Sequence, residues 1–379
     1  MKLRSIQFLR AIAAILVAYA HSVTVQMRFS HSFQQDLFHL PGLGAAGVDI
    51  FFVISGFIIS YSAGRYKGGR EGAAFLGHRF KRINPVYYLV TVLLILLSLH
   101  PQLKDHSFLL TWTQIGKSII LLPVFDRTGF SGIILSQGWT LSFEWFFYLL
   151  FLATILSRTR HKERWLMIMI STLVTAGLFL HGGDYRLHFI SNPILLEFLL
   201  GVVIYWCYSR ISVPKTTARI LLFSGIALYI LEIGTGYGYI GDSTRTVDGS
   251  LSLLRLFLWG IPAALLVSGC LFVEKNGSGS FILNNKLIDL LGNSSYSLYL
   301  LHFIVFDLCV ALYLRVGFFM NPDLAIFVQL VLAITASALF YKWVEAPLLR
   351  RLRKSPPVVS PAAPAVLPSV TSAVVPSDR

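Results

Sequence analysis

Charged side chains are scarce in this chain. They make up 13% of its 379 residues, where a soluble domain carries about 25%. Cysteine is scarcer still. Cys207, Cys270 and Cys309 each lie in an apolar run and form no CxxC or Cys/His spacing, so they read as small core residues. No Gly-rich phosphate loop, GxSxG elbow or HExxH occurs, and His31 and His39 carry no metal signature. Nothing in these patterns calls for a metal or a bound cofactor.

What the chain has in abundance is apolar length. Hydrophobic residues make up 55%, and the mean hydropathy is +0.68. Ten runs are long enough to span a bilayer: near 6–27, 43–63, 83–99, 139–157, 165–181, 193–209, 218–234, 251–273, 294–314 and 324–344. The fold expected is all-α, a bundle of about ten transmembrane helices. The stretch 115–125 is apolar but too short to span, so a surface position is expected. The net charge of +14 sits between the spans and not in a nucleic-acid patch. Twenty-one of the 32 Lys and Arg fall at the N-terminus, in the even-numbered loops and in the tail, against eight in the odd-numbered loops. That asymmetry puts both termini in the cytoplasm. Ala18-Tyr19-Ala20 resembles a signal-peptidase site, but Arg10 interrupts the run before it, so the segment reads as a retained first span. The organisation expected is a membrane domain over 1–353 and a disordered Pro/Ala/Ser-rich cytoplasmic tail over 354–379. Any chemistry must then sit within the spans.

Ionisable groups inside those spans are the informative residues. The stretch "GVDIFFVISGFII" holds one carboxylate, Asp49. An Asp at mid-bilayer costs ~2.5–3.5 kcal/mol on insertion scales, so it asks for a function. Arg10 and His21 stand eleven residues apart, about three helical turns and ~16 Å, and so share a face. A snorkelling Arg and a His bonded to a neighbouring helix would also fit. Asp49, Glu144 and Glu197 lie at similar depths in their spans. They suggest one layer with His21, in which a carboxylate fixes the imidazole for general-base work, or else separate structural pairs between helices. On the opposite side "HRFKRINPVYY" puts Arg79 and Arg82 on one helical face. The pair suits a phosphate-bearing ligand, or plain anchoring. Pro85 fits the first turn of that span. His302, in "SYSLYLLH", lies nearer mid-membrane and reads as packing or hydrogen bonding, with catalysis as the other reading.

These segments, in order, resemble the acyltransferase 3 family of integral-membrane acyltransferases over residues 1 to about 353. The Arg-x10-His signature is met by Arg10 and His21 in "IQFLRAIAAILVAYAH", followed by "GVDIFFVISGF", "RFKRINPVYY", "WTLSFEWFFYLLF", "SYSLYLLH" and "WVEAPL". Two departures stand out: His78 where many members have a second arginine, and Trp145 where many have a second acid. The N-terminal block is most similar to the branch that acetylates bacterial exopolysaccharide. The resemblance implies O-acyl transfer from cytoplasmic acyl-CoA, expected to be acetyl-CoA as co-substrate, to a hydroxyl of a surface glycan or its lipid-linked precursor at the bacterial inner membrane. On that reading Arg10, Arg79 and Arg82 bind acyl-CoA, and His21 is the base or acyl carrier, oriented by Asp49. Glu144, Glu197 and His302 shape the acceptor side. The competing class is a glycolipid transporter or flippase that uses the same polar layer as a path.

Overall fold

The structure is a computed structural model. It describes residues 3–30, 33–34, 39–62, 66, 68–99, 111–121, 124–126, 129–131, 133–179, 185–237, 240–279, 285–316 and 321–353. The tail 354–379 and His31 lie outside the described residues. The chain runs α1 (Arg4–Phe29), α2 (Leu43–Ser62), α3 (Gly69–Ser98) and the short α4 (Trp112–Ile119). A hairpin of β1 (Val124–Asp126) and β2 (Gly129–Ser131) follows, pairing Phe125 with Phe130. Then come α5 (Trp139–Leu156), α6 (Lys162–Phe179), α7 (Tyr185–Ile190), α8 (Leu195–Arg210), α9 (Lys215–Gly234), α10 (Ser243–Val247) and α11 (Ser252–Arg255). A π-helical turn (Leu256–Gly260) leads into α12 (Ile261–Lys275). The chain closes with α13 (Lys286–Val316), α14 (Pro322–Phe340), a second π turn (Tyr341–Glu345) and α15 (Ala346–Arg353).

The protein is therefore an all-α membrane bundle. Among the described residues, nine helices are long and apolar enough to cross a membrane. The remaining expected span is α6, 18 residues long, whose first turn holds Lys162, Glu163 and Arg164. The stretch expected on the surface contributes α4, whose Trp112 is 88% exposed. One boundary differs from expectation. Helix α3 begins at Gly69 and not near residue 83, so Arg79 and Arg82 stand on a helix as expected, while Pro85 lies in its interior and not in its first turn. Hydropathy registers only the apolar half of such a helix; its amphipathic extension, "GREGAAFLGHRFKRIN", passes as a loop.

Helix α1 is the hub and packs against α2, α12, α13 and α14. Its buried face is rich in alanine (Ala11, Ala13, Ala14, Ala18, Ala20), which lets neighbouring backbones approach. The amino end of α1 has no side-chain cap of its own. Glu274 of α12 accepts from the amides of Arg4 and Ser5 at 2.8 and 2.9 Å, a carboxylate on the positive end of the helix.

The α2–α8 crossing is close. A Cβ on Gly56 would stand 2.0 Å from the Phe198 carbonyl oxygen, and one on Gly201 would stand 2.1 Å from that of Val53. Only hydrogen fits on either side. Gly201→Leu should therefore abolish accumulation of folded protein. Gly77, on α3, has open space at its Cβ position. Gly77→Ala should be neutral or add about 0.5–1 kcal/mol. Expression level and thermal melting of the two purified variants check the contrast.

Candidate active site

A cavity of about 360 Å³ opens among α1, α2, α3, α5, α13 and the second π turn. Its polar wall carries Arg10, Arg79, Arg82, Glu144, Tyr148 and Glu345. Helical spacing puts them there. Arg79 and Arg82 are three residues apart on α3, and Glu144 and Tyr148 are four apart on α5.

Five of the six are held by a hydrogen bond to a neighbour. Arg10 Nε donates to Ser295 Oγ at 3.1 Å, and Arg79 Nη2 donates to Ser62 Oγ at 2.9 Å. The Arg79 guanidinium lies 5.4 Å from the Phe75 ring and 5.5 Å from the Tyr148 ring, a cation–π arrangement. Glu144 accepts from Ser55 Oγ at 3.1 Å and from the Tyr148 hydroxyl, and Glu345 accepts from Ser297 Oγ. Arg82, Glu345 and Glu144 all act on Arg10 electrostatically. Arginines outnumber acidic residues three to two on this wall. With several N–H groups directed by fixed partners, it is suited to an anion such as a phosphate.

A second centre joins α1 to α13. The His21 ring stacks on that of His302, with centroids 5.2 Å apart and 21° between planes, and lies 4.4 Å from the Phe303 ring. Arg10 and His21 thus do share a face, since both turn toward α13. His302 is fully buried, and its Nδ1 lies 2.9 Å from the Leu298 carbonyl oxygen. Between this pair and the cavity stands Tyr299, a cavity residue whose ring is 6.3 Å from that of His302. Its hydroxyl donates to the Gln137 carbonyl at 2.8 Å and lies 2.7 Å from Thr140 Oγ1.

The single polar layer expected from sequence is divided in the structure. Asp49 is not placed to orient His21. Its fully buried carboxylate accepts from Arg255 Nε at 2.8 Å and from a second nitrogen of the same guanidinium. Arg255 also donates to the Ala45 carbonyl at 3.1 Å. Glu197, equally buried, acts on both Asp49 and Arg255. The reason is azimuth. On α2 the cavity stripe is Val48, Phe51, Phe52, Ser55 and Ile59. Asp49 instead shares the stripe of Val53 and Gly56, which faces α8. Glu144 also leaves the expected layer. Its partner Ser55 lies six residues beyond Asp49 along α2, ~9 Å further toward the basic end.

Sequence reading passed over Arg255 by counting it with the seventh loop, although it falls inside the run 251–273. The rule that flagged Asp49 would have flagged it. Glu345 and Tyr148 gave no signal beyond membership of an apolar block. Among the described residues, no three His, Cys, Asp or Glu side chains cluster as a metal site.

Fold and site together define a polytopic membrane protein with a basic internal cavity and a stacked histidine pair. The family described as "Acyltransferase domain" matches residues 3–342, and the chain belongs to that family of acyltransferases. It is 32% identical over 323 residues to the exopolysaccharide production protein ExoZ of Rhizobium meliloti (strain 1021), covering 82% of this chain and 91% of that protein. It is 23% identical over 335 residues to the O-acetyltransferase OatA of Staphylococcus aureus (strain NCTC 8325 / PS 47), covering 81% of this chain. The chain spans about half the length of that staphylococcal relative, 53%. No solved structure matches it.

The Asp49–Arg255–Glu197 cluster yields a prediction about stability. One guanidinium needs one carboxylate, and two are within reach. Asp49→Asn or Glu197→Gln alone leaves a partner for Arg255. Both together strand a buried cation, which costs about 3–5 kcal/mol. Melting of the singles and the double should be strongly non-additive. A double variant no less stable than the sum of the singles would show that the carboxylates act separately.

Proposed function

We propose that this protein moves an acetyl group from acetyl-CoA to a hydroxyl of an exopolysaccharide or its lipid-linked precursor, across the bundle of a bacterial inner-membrane protein. The observation that carries this reading is the basic cavity: three arginines on one wall inside the membrane bundle, two of them held by serine hydroxyls. The names of the relatives ExoZ and OatA support acetyl as the group and a polysaccharide as the acceptor. The basic end of the bundle, where α1 begins, faces the cytoplasm on this reading, and both termini with it. The tail 354–379 is dispensable.

Arg79 and Arg82 hold the donor's phosphates, and Arg10 lies along the path of its acyl end. Glu144 and Glu345 keep Arg10 and Arg82 directed before the donor arrives. The acceptor oxygen attacks the thioester carbonyl, so that a C–O bond forms and the C–S bond breaks. The hydroxyl proton passes through the His21 centre to the departing thiolate. An apolar, water-poor site strengthens each of these charge contacts. Asp49 and Glu197 serve the fold here and not the reaction.

Arg79→Ala and Arg82→Ala should each weaken acetyl-CoA binding by ~1.5–3 kcal/mol, about 10- to 150-fold, the worth of one charge-assisted hydrogen bond. His21→Ala should instead lower turnover ~10²–10⁴-fold and leave donor binding near normal. Binding of acetyl-CoA to purified variants, with acetyl content of the surface glycan measured by mass spectrometry, separates the two effects. Unchanged donor affinity in both arginine variants would return them to membrane anchoring.

A further inference from the structure

The buried histidine of α13 has one half of its chemistry accounted for and the other half open. His302 Nδ1 sits 2.9 Å from the Leu298 carbonyl oxygen. A carbonyl only accepts, so Nδ1 carries hydrogen and the neutral ring keeps its lone pair on Nε2. That Nε2 is buried and has no hydrogen-bond partner among the described residues. An orphaned acceptor inside a membrane protein is destabilising unless water or a ligand completes it. Phe303 and Phe306 lie 4.6 and 5.7 Å from the ring. The stacked His21 ring and, toward the cavity, Tyr299 are polar neighbours.

Near-parallel stacking matters for the chemistry. Ring nitrogens act in the plane of the ring, so two stacked imidazoles do not bond each other; they present their edges to a common space. Two positive charges this close repel, so the pair holds one extra proton at most. The pair therefore behaves as a single base. The Leu298 carbonyl, which stabilises positive charge through Nδ1–H, marks His302 as the ring that takes the proton.

We propose that His302 is a second catalytic residue, whose Nε2 receives the acceptor hydroxyl's hydrogen bond and proton, with His21 stacked beside it. The inference rests on the acetyl-transfer reading above. In the step, the hydroxyl O–H bond breaks and Nε2 gains the proton while the oxygen bonds to the acetyl carbon. The C–S bond then breaks, and the imidazolium returns its proton to the CoA thiolate. The ring ends neutral, with Nδ1–H still on Leu298.

The test uses two isosteric replacements in the full-length protein. His302→Asn can keep the donor to the Leu298 carbonyl and lacks Nε2. His302→Gln places an amide near Nε2 and lacks a basic nitrogen. The assay follows CoA release and label transfer from radiolabelled acetyl-CoA to the host's own extracellular polysaccharide, freed of esters by mild alkali. The expected result is a turnover loss of ~10²–10⁴-fold in both variants. The KM for acetyl-CoA should stay within about threefold, and melting should be close to wild type. His302→Asn that transfers within about threefold of wild type overturns the assignment and leaves acetyl transfer standing. Loss of folding in both variants also overturns it, because His302 is then a packing residue. A wild type that releases no CoA overturns the assignment and the acetyl-transfer reading together.

Discussion

An ionisable side chain inside a bilayer must be matched by a partner or opened to a polar cavity, and the rest of this structure follows from how that requirement is met. Three solutions appear in one bundle. Asp49 and Glu197 are closed off against Arg255, with no exposure on either carboxylate. Arg10, Arg79 and Arg82 are opened to a cavity. His21 and His302 are stacked on each other across α1 and α13. A paired charge is quiet; it fixes helix positions and the loop above them. A charge facing a cavity is free to meet a ligand. The division between structural and chemical groups is therefore visible in the partners, although the residue types are the same.

The closed solution explains why an acid is kept in α2 at all. Arg255 donates to Asp49 and to the Ala45 carbonyl, and lies 3.4 Å from Thr246 Oγ1 of α10. Asn192 donates to the carbonyls of Thr246 and Val247 at 2.9 and 3.1 Å. The connection between α9 and α12 is thus drawn into the bundle end by polar contacts. A π-helical turn follows Arg255 directly. The second π turn, Tyr341–Glu345, likewise brings an acidic residue into the cavity wall. Such turns rotate the side chains beyond them and often mark functional places.

Much of this was legible from the residues. Apolar run lengths gave the bundle, because a bilayer fixes how long a span must be. The eleven-residue spacing of Arg10 and His21 gave their common face, because 3.6 residues per turn turns spacing into direction. The pairing of Asp49 was not legible. Depth along a helix says which layer a residue occupies, but pairing also needs the azimuth of two helices far apart in sequence. Asp49 and Arg255 are separated by 206 positions. The same limit hid the approach of Glu144 to Ser55 and of His302 to His21. The start of α3 was missed for another reason. Its first turns are amphipathic, and such a segment does not reach a spanning threshold.

The separation of the two open centres constrains any mechanism. Arg10 and His21 lie three turns apart on a single helix, ~16 Å along its axis. On the proposed reading, a donor fixed by its phosphates at Arg79 and Arg82 reaches the histidines through an extended arm. The floor of that path is built by Phe51, Thr140 and Tyr299, all cavity residues. Gln137 donates from Nε2 to the carbonyls of Tyr299 and Leu300 at 3.3 and 3.0 Å, and its own carbonyl takes the Tyr299 hydroxyl. These bonds tie the start of α5 to α13 at the level between cavity and histidine pair. On the proposed reading, this clasp sets how far the donor's acyl end can advance. A short acyl group then suits the site because the partition is held by hydrogen bonds, and an ordered partition resists being pushed aside by a longer chain.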